Sequence, residues 1–259
     1  MRKSLLTITL LLLTANSAFA QEWAKQKVDR SPRHREWVNV KYGDRVVNCF
    51  VVYPEVKSKS SAVVVIHEIF GVTDWVQMLT DELAEAGVIA IAPDLLSGLG
   101  PFADGNAVGK AIRDLPPDQV TADLNAVADY VSKLPAANGT VAVAGFCWGG
   151  AQTFRFATNR TRLAAAFVFY GSGPDTPEAI AAIKAPVYAF YAGNDARIGA
   201  TVPKTQELMK AAGKTYEVIA YDGAGHGFMR AGAAPDATPA NKKARDEAWI
   251  RWKSLLKAL

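Results

Sequence analysis

Apolar positions along the chain alternate between short continuous runs and segments with helical spacing. Runs typical of parallel strands buried on both faces lie at 62–66, 88–92, 141–143, 164–170, 186–191 and 215–221. Apolar residues with the spacing of one helix face lie between or after these runs, at 75–83, 120–134 and 249–256. Strands that alternate with helices predict an α/β protein with a doubly wound, mostly parallel sheet.

The start of the predicted sheet has a different pattern. Two strand-like segments, 37–42 and 45–53, are separated only by Gly43 and Asp44, which is a hairpin signal. We therefore expect an antiparallel hairpin at the N-terminal end of the sheet. No internal repeat or linker divides the rest of the chain, so residues 37–259 are predicted to form one domain. The least regular stretches are 95–117, with one helix near 107–114, and the small-residue loop 224–240.

The first 20 residues have the pattern of a secretory signal peptide. Arg2 and Lys3 precede an apolar segment, 5–13, that is too short to span a membrane, and 17–20 fits a small-residue cleavage site. The alternative is a buried N-terminal helix. We expect cleavage after Ala20 and an exported protein with no stable membrane anchor, periplasmic in a Gram-negative source and otherwise secreted. Residues 21–36 are locally basic and are predicted to form a solvated arm.

Charge and cysteine content narrow the function classes. The formal net charge of +4 falls to +2 without Arg2 and Lys3, which gives no indication of a nucleic-acid partner. The predicted partner is a small molecule, and the chain is expected to be a monomer. Cys49 lies in a strand pattern and Cys147 in a glycine-rich turn, so we expect two free thiols and not the disulfide that is common in exported proteins.

The segment 145–149, Gly-Phe-Cys-Trp-Gly, carries the clearest chemical signal. It joins a β-branched run to a helical pattern, and it is a cysteine version of the nucleophile elbow G-x-S-x-G. The glycines on either side of Cys147 leave room for a strained turn that raises the thiol above the sheet. A helix begins at this point, and its dipole is expected to favour a thiolate. The alternative is a glycine-rich turn that holds a buried cysteine.

A cysteine nucleophile needs a base and a carboxylate that orients the base. His226 lies in a glycine-rich loop after the last predicted strand, and Asp195 follows the strand 186–191. The order Cys147, Asp195, His226 is the nucleophile, acid and base order of α/β-hydrolases. Asp222 is the competing acid, but it is very near His226 in sequence. Taken singly, Asp195 also fits a turn aspartate and His226 a polar residue of a glycine turn.

These motifs resemble the dienelactone hydrolase family, the carboxymethylenebutenolidases. The resemblance covers residues 37–258 and rests on His-Glu-Ile-Phe-Gly at 67–71, Ala-Pro-Asp-Leu at 92–95, Gly-Phe-Cys-Trp-Gly-Gly at 145–150, Gly-Asn-Asp at 193–195 and His-Gly-Phe at 226–228. It implies an α/β-hydrolase that needs no cofactor or metal. It also implies roles for Cys147 as nucleophile, Asp195 and His226 as its partners, Glu68 as a carboxylate facing the thiol, and the backbone N–H groups of Ile69 and Trp148 as the oxyanion hole. A carboxylate at position 68 can accept the thiol proton or hold the thiol neutral until substrate binds, and the alternative is a salt-bridged structural glutamate.

Substrate recognition is where the chain departs from the family pattern. The resemblance implies that Arg230, four residues after His226, binds a substrate carboxylate, but 93–100 has no arginine where a second is expected. Arg113 and Arg197 are candidates to replace it. The sequence therefore predicts an exported hydrolase of esters or lactones acting through a thioacyl-enzyme, with dienelactone itself disfavoured. The alternatives are a thioesterase or peptidase on the same fold, or a non-catalytic binding protein.

The signal-peptide assignment predicts where the mature chain begins. Mass spectrometry of the protein purified from its native host is expected to find Gln21 as the first residue, because 17–20 fits the cleavage site. A chain that retains Met1 in the cytosolic fraction would contradict both the cleavage and the export.

Overall fold

The computed structural model describes residues 21–259, and the predicted signal peptide lies outside the described residues. One sheet of eight strands runs through the domain. The strands are β1 (Arg35–Tyr42), β2 (Arg45–Val52), β3 (Ser60–Ile66), β4 (Ile89–Asp94), β5 (Ala137–Phe146), β6 (Ala166–Phe169), β7 (Val187–Ala192) and β8 (Tyr216–Tyr221). Their order across the sheet is β1-β2-β4-β3-β5-β6-β7-β8.

Ten helices connect or flank the strands within the described part of the chain. They are α1 (Glu22–Asp29), α2 (Asp74–Glu85), α3 (Gly105–Asp114), α4 (Pro117–Ser132), α5 (Trp148–Asn159), α6 (Pro177–Ala182), α7 (Ala196–Gly199), α8 (Val202–Ala211), α9 (Phe228–Ala231) and α10 (Pro239–Leu256). No described helix has the length and apolar character required to cross a bilayer.

The predicted fold class is confirmed. β1 and β2 form an antiparallel hairpin, β2 pairs antiparallel with β4, and every pairing from β4 across to β8 is parallel. Apolar side chains form one core on each face of the sheet. One core includes residues of α3, α4, α5, α6 and α8, and the other includes residues of α1, α2, α9 and α10. The carboxyl ends of the parallel strands therefore meet at one edge, where loops can gather functional side chains.

Several predicted elements differ in extent from those observed; the last helix, for example, begins at Pro239 and not near residue 249. β5 begins at Ala137, well before the apolar run 141–143, because Ala137 already pairs with Ser60 of β3. The loop 224–240 contains the short helix α9, which begins after Gly227 in a left-handed conformation at φ 79°. Small polar or glycine-rich stretches carry little periodicity, so their local structure was not visible in the apolar pattern.

The prediction of a solvated arm at 21–36 is wrong. Residues 22–29 form α1, whose Ala24 and Val28 are buried against α2. The charge of this segment hid the helix, since only these two of its eight positions are buried. The following turn is held by an ion pair: Arg33 donates to both carboxylate oxygens of Asp81, at 3.0 and 2.6 Å, and the Ser31 hydroxyl donates to the same side chain at 2.6 Å.

The buried pair between Arg33 and Asp81 predicts a stability effect. Asp81→Ala is expected to lower the free energy of unfolding by about 2 kcal/mol or more, because hydrogen bonds to charged groups are lost and Arg33 is left without its partner. The matched control is Asp29→Ala, which removes the exposed pair with Lys25 and is expected to have no measurable effect. Urea unfolding measures both, and equal losses in the two variants would contradict the docking contact.

Candidate active site

Cys147 lies between β5 and α5 in a backbone conformation that residues other than glycine rarely adopt, with φ 56° and ψ −116°. Its N–H donates to the Phe169 carbonyl at 3.0 Å, which fixes the turn to the neighbouring strand. A Cβ atom on Gly145 would lie 2.1 Å from the Gly149 oxygen, and one on Gly149 would lie 2.4 Å from the Ile66 oxygen. Both flanking glycines are therefore required for the strand, turn and helix to approach so closely.

Aromatic packing supports this turn from below. Phe146 is fully buried and stacks on Phe169 with ring centroids 4.6 Å apart, and Phe169 stacks in turn on Phe190 at 4.6 Å. Trp75 meets Phe146 edge-on at 5.2 Å. The strained turn is thus built on a rigid cluster, which is how a protein maintains a costly backbone conformation.

Asp195 and His226 are in contact at the same edge of the sheet. Asp195 follows β7 and caps α7, where its Oδ1 accepts from the Ile198 N–H at 3.3 Å. Its Oδ2 accepts from Nδ1 of His226, which follows β8, at 2.5 Å. With a hydrogen on Nδ1, the neutral imidazole has an unprotonated Nε2. The competing acid, Asp222, is exposed, and His226 is not bonded to it.

Glu68 forms a buried ion pair, the alternative considered for it, with a partner that the sequence did not predict. Its Oε2 accepts from Nε of Arg230 at 2.7 Å, and its Oε1 accepts from the Tyr170 hydroxyl at 3.4 Å. The Arg230 guanidinium also lies over the Phe70 ring, 5.3 Å from its centroid. Arg230, expected as a substrate ligand, therefore has a protein partner in the unliganded site, although Nη1 and Nη2 have no hydrogen-bond acceptor among residues 21–259.

The helix dipole favours a thiolate at Cys147, but in this state of the site the thiol is held neutral, as the position of Glu68 allowed. Burial and the negative charge of Glu68 raise the pKa of the Cys147 thiol to about 11, against smaller opposing effects of the Trp148 N–H, Arg197 and Arg230. The first turn of α5 does favour the anion, but desolvation costs more than the dipole offsets. Near neutral pH the thiol is consequently protonated.

Two backbone N–H groups come directly after the thiol and the carboxylate in sequence. Trp148 is the first residue of α5, and its N–H interacts with the Cys147 sulfur. Ile69 follows Glu68 in the loop after β3. In the described part of the chain neither N–H is occupied by a backbone carbonyl. Both are therefore candidates to donate to an oxygen that develops negative charge at this place.

A cavity of about 980 Å³ opens next to Ile69 and Phe70. Its other walls come from the 102–113 stretch, which brings together apolar side chains and one cation, namely Phe102, Val108 and Arg113. Arg113 is exposed, and it forms no hydrogen bond or ion pair within residues 21–259. The stretch with the least regular sequence pattern thus forms the cavity wall.

Sequence reasoning missed Tyr170, which lies at the centre of this site. It is fully buried, has φ 41°, donates to Glu68, and packs edge-on against the His226 ring at 5.1 Å. In the sequence it is one more aromatic residue at the end of a strand, so no local signal distinguished it. The two cysteines are free as expected, with Cys49 fully buried. Among residues 21–259 no three His, Cys, Asp or Glu side chains are grouped as a metal site requires.

Comparisons with known proteins identify the family. The model of the family described as "Dienelactone hydrolase family" matches residues 47–259. The chain belongs to this family. A candidate carboxymethylenebutenolidase of Methylorubrum extorquens is 30% identical over 206 residues, which are 74% of this chain and 71% of the relative. Similar proteins of Salmonella typhi and Escherichia coli are 34% identical over 180 residues, 64% of this chain and 67% and 66% of those relatives respectively.

Solved structures agree with this placement. The crystal structure of a candidate dienelactone hydrolase from Klebsiella pneumoniae has a TM-score of 0.79 at 25% identity, covering 88% of this chain and all of that one. A dienelactone hydrolase-like promiscuous phosphotriesterase from metagenomic libraries has a TM-score of 0.76 at 22% identity, covering 88% of this chain and 98% of that one; at this identity it shows the shared fold alone. Membership of the family is consistent with a carboxylic ester hydrolase.

The raised pKa of Cys147 predicts its reactivity. Iodoacetamide is expected to alkylate Cys147 slowly near neutral pH and faster as the pH approaches the thiol pKa of about 11, because the thiolate is the nucleophile. Glu68→Gln is expected to speed alkylation about three- to tenfold, since loss of the negative charge lowers the thiol pKa. Peptide mass spectrometry locates the label, and buried Cys49 is expected to react only after unfolding.

The exposed carboxylate Glu36 offers a matched control, Glu36→Gln, which is expected to leave the alkylation rate unchanged. Slower alkylation in Glu68→Gln would mean that Glu68 accepts the thiol proton in the resting protein.

Proposed function

We propose that this protein hydrolyses esters or lactones through a thioacyl intermediate on Cys147. The observation that carries the proposal is the hydrogen bond from His226 Nδ1 to Asp195 at 2.5 Å. This pair lies at the sheet edge where the turn of Cys147 emerges from β5. A nucleophile, an orienting acid and a base, which follow one another in this order along the chain, supply the groups that acyl transfer needs.

Acylation begins from a neutral thiol. His226 takes the thiol proton on Nε2 as the sulfur attacks the substrate carbonyl, and Asp195 stabilises the resulting imidazolium. The carbonyl oxygen becomes an oxyanion between the N–H groups of Ile69 and Trp148. Collapse of this intermediate breaks the carbon–oxygen bond, and the leaving alkoxide receives the proton from His226. In a lactone the leaving hydroxyl stays attached to the acyl group.

Deacylation repeats these roles with water as the nucleophile. His226 removes a proton from water, the hydroxide attacks the thioester, and the same two N–H groups hold the second oxyanion. Breaking the carbon–sulfur bond returns the thiolate, which takes the proton back. The carboxylic acid product then leaves, and no cofactor or metal is required for any step.

Glu68 and Arg230 link substrate binding to the state of the thiol. An acidic substrate that pairs with Arg230 competes with Glu68 for the same guanidinium, since Nε of Arg230 donates to Glu68. Until the substrate binds, the charge of Glu68 keeps the thiol protonated, and His226 takes the thiol proton when the sulfur attacks. Leaving the buried guanidinium of Arg230 without an anion would be costly in free energy. Glu68 is therefore displaced only when a substrate anion takes its place.

The cavity beside Ile69 and Phe70 is the proposed place for the bulk of the substrate. Its walls of Phe70, Phe102 and Val108 suit an apolar or aromatic group. Dienelactone is not the proposed substrate, since no arginine occurs at 93–100. The signal-peptide pattern of residues 1–20 supports export across the cytoplasmic membrane. The proposed location is therefore the periplasm in a Gram-negative source and the medium otherwise.

Esterase activity that depends on Cys147 tests the proposal. The purified mature protein is expected to release 4-nitrophenol from 4-nitrophenyl acetate, and Cys147→Ala is expected to lower kcat about 10⁴-fold or more, because the nucleophile is lost. Asp195→Asn is expected to lower kcat strongly, but less than Cys147→Ala does. The asparagine amide no longer holds the hydrogen of His226 on Nδ1, so the imidazole adopts the wrong tautomer.

Cys49→Ala is the matched cysteine control and is expected to leave turnover unchanged. A wild-type protein that binds esters or lactones but turns none over would favour the non-catalytic binding protein instead. A panel of lactones, thioesters and peptides then separates the hydrolase classes.

A further inference from the structure

His67 is the first residue after β3 and is fully buried, yet the proposed mechanism gives it no role. Its ring contacts three different parts of the site. Nδ1 lies 2.7 Å from the Glu68 carbonyl oxygen, Nε2 lies 3.4 Å from the Leu95 nitrogen, and the ring stacks on Trp148 with centroids 5.8 Å apart at 17°. These contacts reach the peptide that carries the Ile69 N–H and the ring of Trp148, the two residues proposed to supply the oxyanion donors.

The partners of the two ring nitrogens determine the tautomer of His67. A carbonyl oxygen can only accept, so Nδ1 carries the hydrogen and donates to Glu68. The Leu95 N–H can only donate, so Nε2 is unprotonated and accepts. Burial also lowers the pKa of the His67 imidazole, which keeps the ring neutral. His67 is therefore held as a directional donor toward the Glu68 carbonyl.

That carbonyl belongs to the same peptide unit as the Ile69 N–H. The peptide is planar and trans, so its carbonyl and its N–H point in opposite directions. The Glu68 carbonyl oxygen also accepts a hydrogen bond from the Gly71 N–H at 3.3 Å. Two donors on the oxygen fix the plane of the peptide, and this plane sets the direction of the Ile69 N–H.

We infer that His67 is a positioning residue for the oxyanion site. By holding the Glu68 carbonyl it sets the direction of the Ile69 N–H, and by stacking on Trp148 it packs against the residue that supplies the second donor. His67 touches no reacting atom and transfers no proton. The inference rests on the proposed function, because it assumes that these two N–H groups bind an oxyanion.

The first experiment compares His67→Leu, which removes the donor, with His67→Gln, which retains an amide N–H donor. His67→Leu is expected to lower kcat/KM for 4-nitrophenyl acetate about ten- to a hundredfold through kcat, with KM little changed, because the misdirected donor is needed only in the transition state. His67→Gln is expected to recover most of the loss.

The matched control is Thr80→Val in α2. Thr80 is fully buried and donates to the Val76 carbonyl at 2.7 Å, so this variant also removes a buried hydrogen bond, but away from the site. Thermal unfolding measures the stability lost in each variant. A purely structural role for His67 predicts that Thr80→Val and His67→Leu lose activity in proportion to stability, and that result would overturn the inference.

Binding of a trifluoromethyl ketone, compared with binding of the product, gives a measure that does not depend on the stability of the variant. The Cys147 sulfur adds to the ketone carbon while His226 takes the thiol proton, so the former carbonyl oxygen becomes an oxyanion where the substrate's oxyanion forms. The carboxylate product undergoes no such addition. His67→Leu is expected to weaken ketone binding about ten- to a hundredfold, in parallel with kcat/KM, and product binding far less. Equal weakening of ketone and product would overturn the inference.

The tautomer can be tested in the wild-type protein, which guards against a His67→Leu variant that does not fold. Two-dimensional ¹H–¹⁵N NMR of the imidazole is expected to show neutral His67 with the hydrogen on Nδ1. A hydrogen on Nε2 would overturn the inference. An active wild type with unaffected His67 variants would refute the inference alone, whereas absence of any ester turnover in the wild type would refute the proposed function with it.

Discussion

The structure depends on the close approach of the α5 N-terminus to the end of β3. A Cβ on Gly149 would lie 2.4 and 2.5 Å from the carbonyl oxygens of Ile66 and His67, so only glycine lets the helix approach this closely. The approach brings the Cys147 turn beside the Glu68–Ile69 loop, and with it the thiol, the carboxylate and the two candidate oxyanion donors. A side chain at position 149 would therefore force α5 and β3 apart, because closely packed backbone atoms have no free space to move into.

The fold was predictable because its signals are strong and local. Parallel strands buried on both faces read as apolar runs, and Gly43–Asp44 marked the hairpin that the structure contains. The contact between Asp195 and His226 was also predictable, because residues that follow β7 and β8 must meet at the same sheet edge. In these cases the sheet topology alone brings distant positions together, and the alternating strand and helix patterns of the sequence indicate that topology.

The parts that escaped prediction depend on pairings between side chains far apart in sequence. Arg230 could be placed near the site, but nothing in its neighbourhood indicated that Glu68 would bind it. The N-terminal segment appeared solvated because its charges are frequent, whereas Asp81 neutralises Arg33 in a largely buried pair. The helix dipole at Cys147 favours a thiolate and Glu68 a neutral thiol, and the burial that decides between them became visible only in three dimensions.

The protonated thiol also bears on the proposed export. Oxidation and disulfide exchange proceed through the thiolate, so a cysteine whose pKa is about 11 reacts slowly near neutral pH until its environment changes. Cys49 is fully buried, and burial raises the pKa of its thiol as well. An enzyme with two free cysteines can therefore work in an oxidising compartment if ionisation of the nucleophile is coupled to substrate binding. The ion pair of Glu68 and Arg230 supplies a physical route for that coupling, since an acidic substrate alters two of the charges that act on the sulfur in the step that positions its carbonyl.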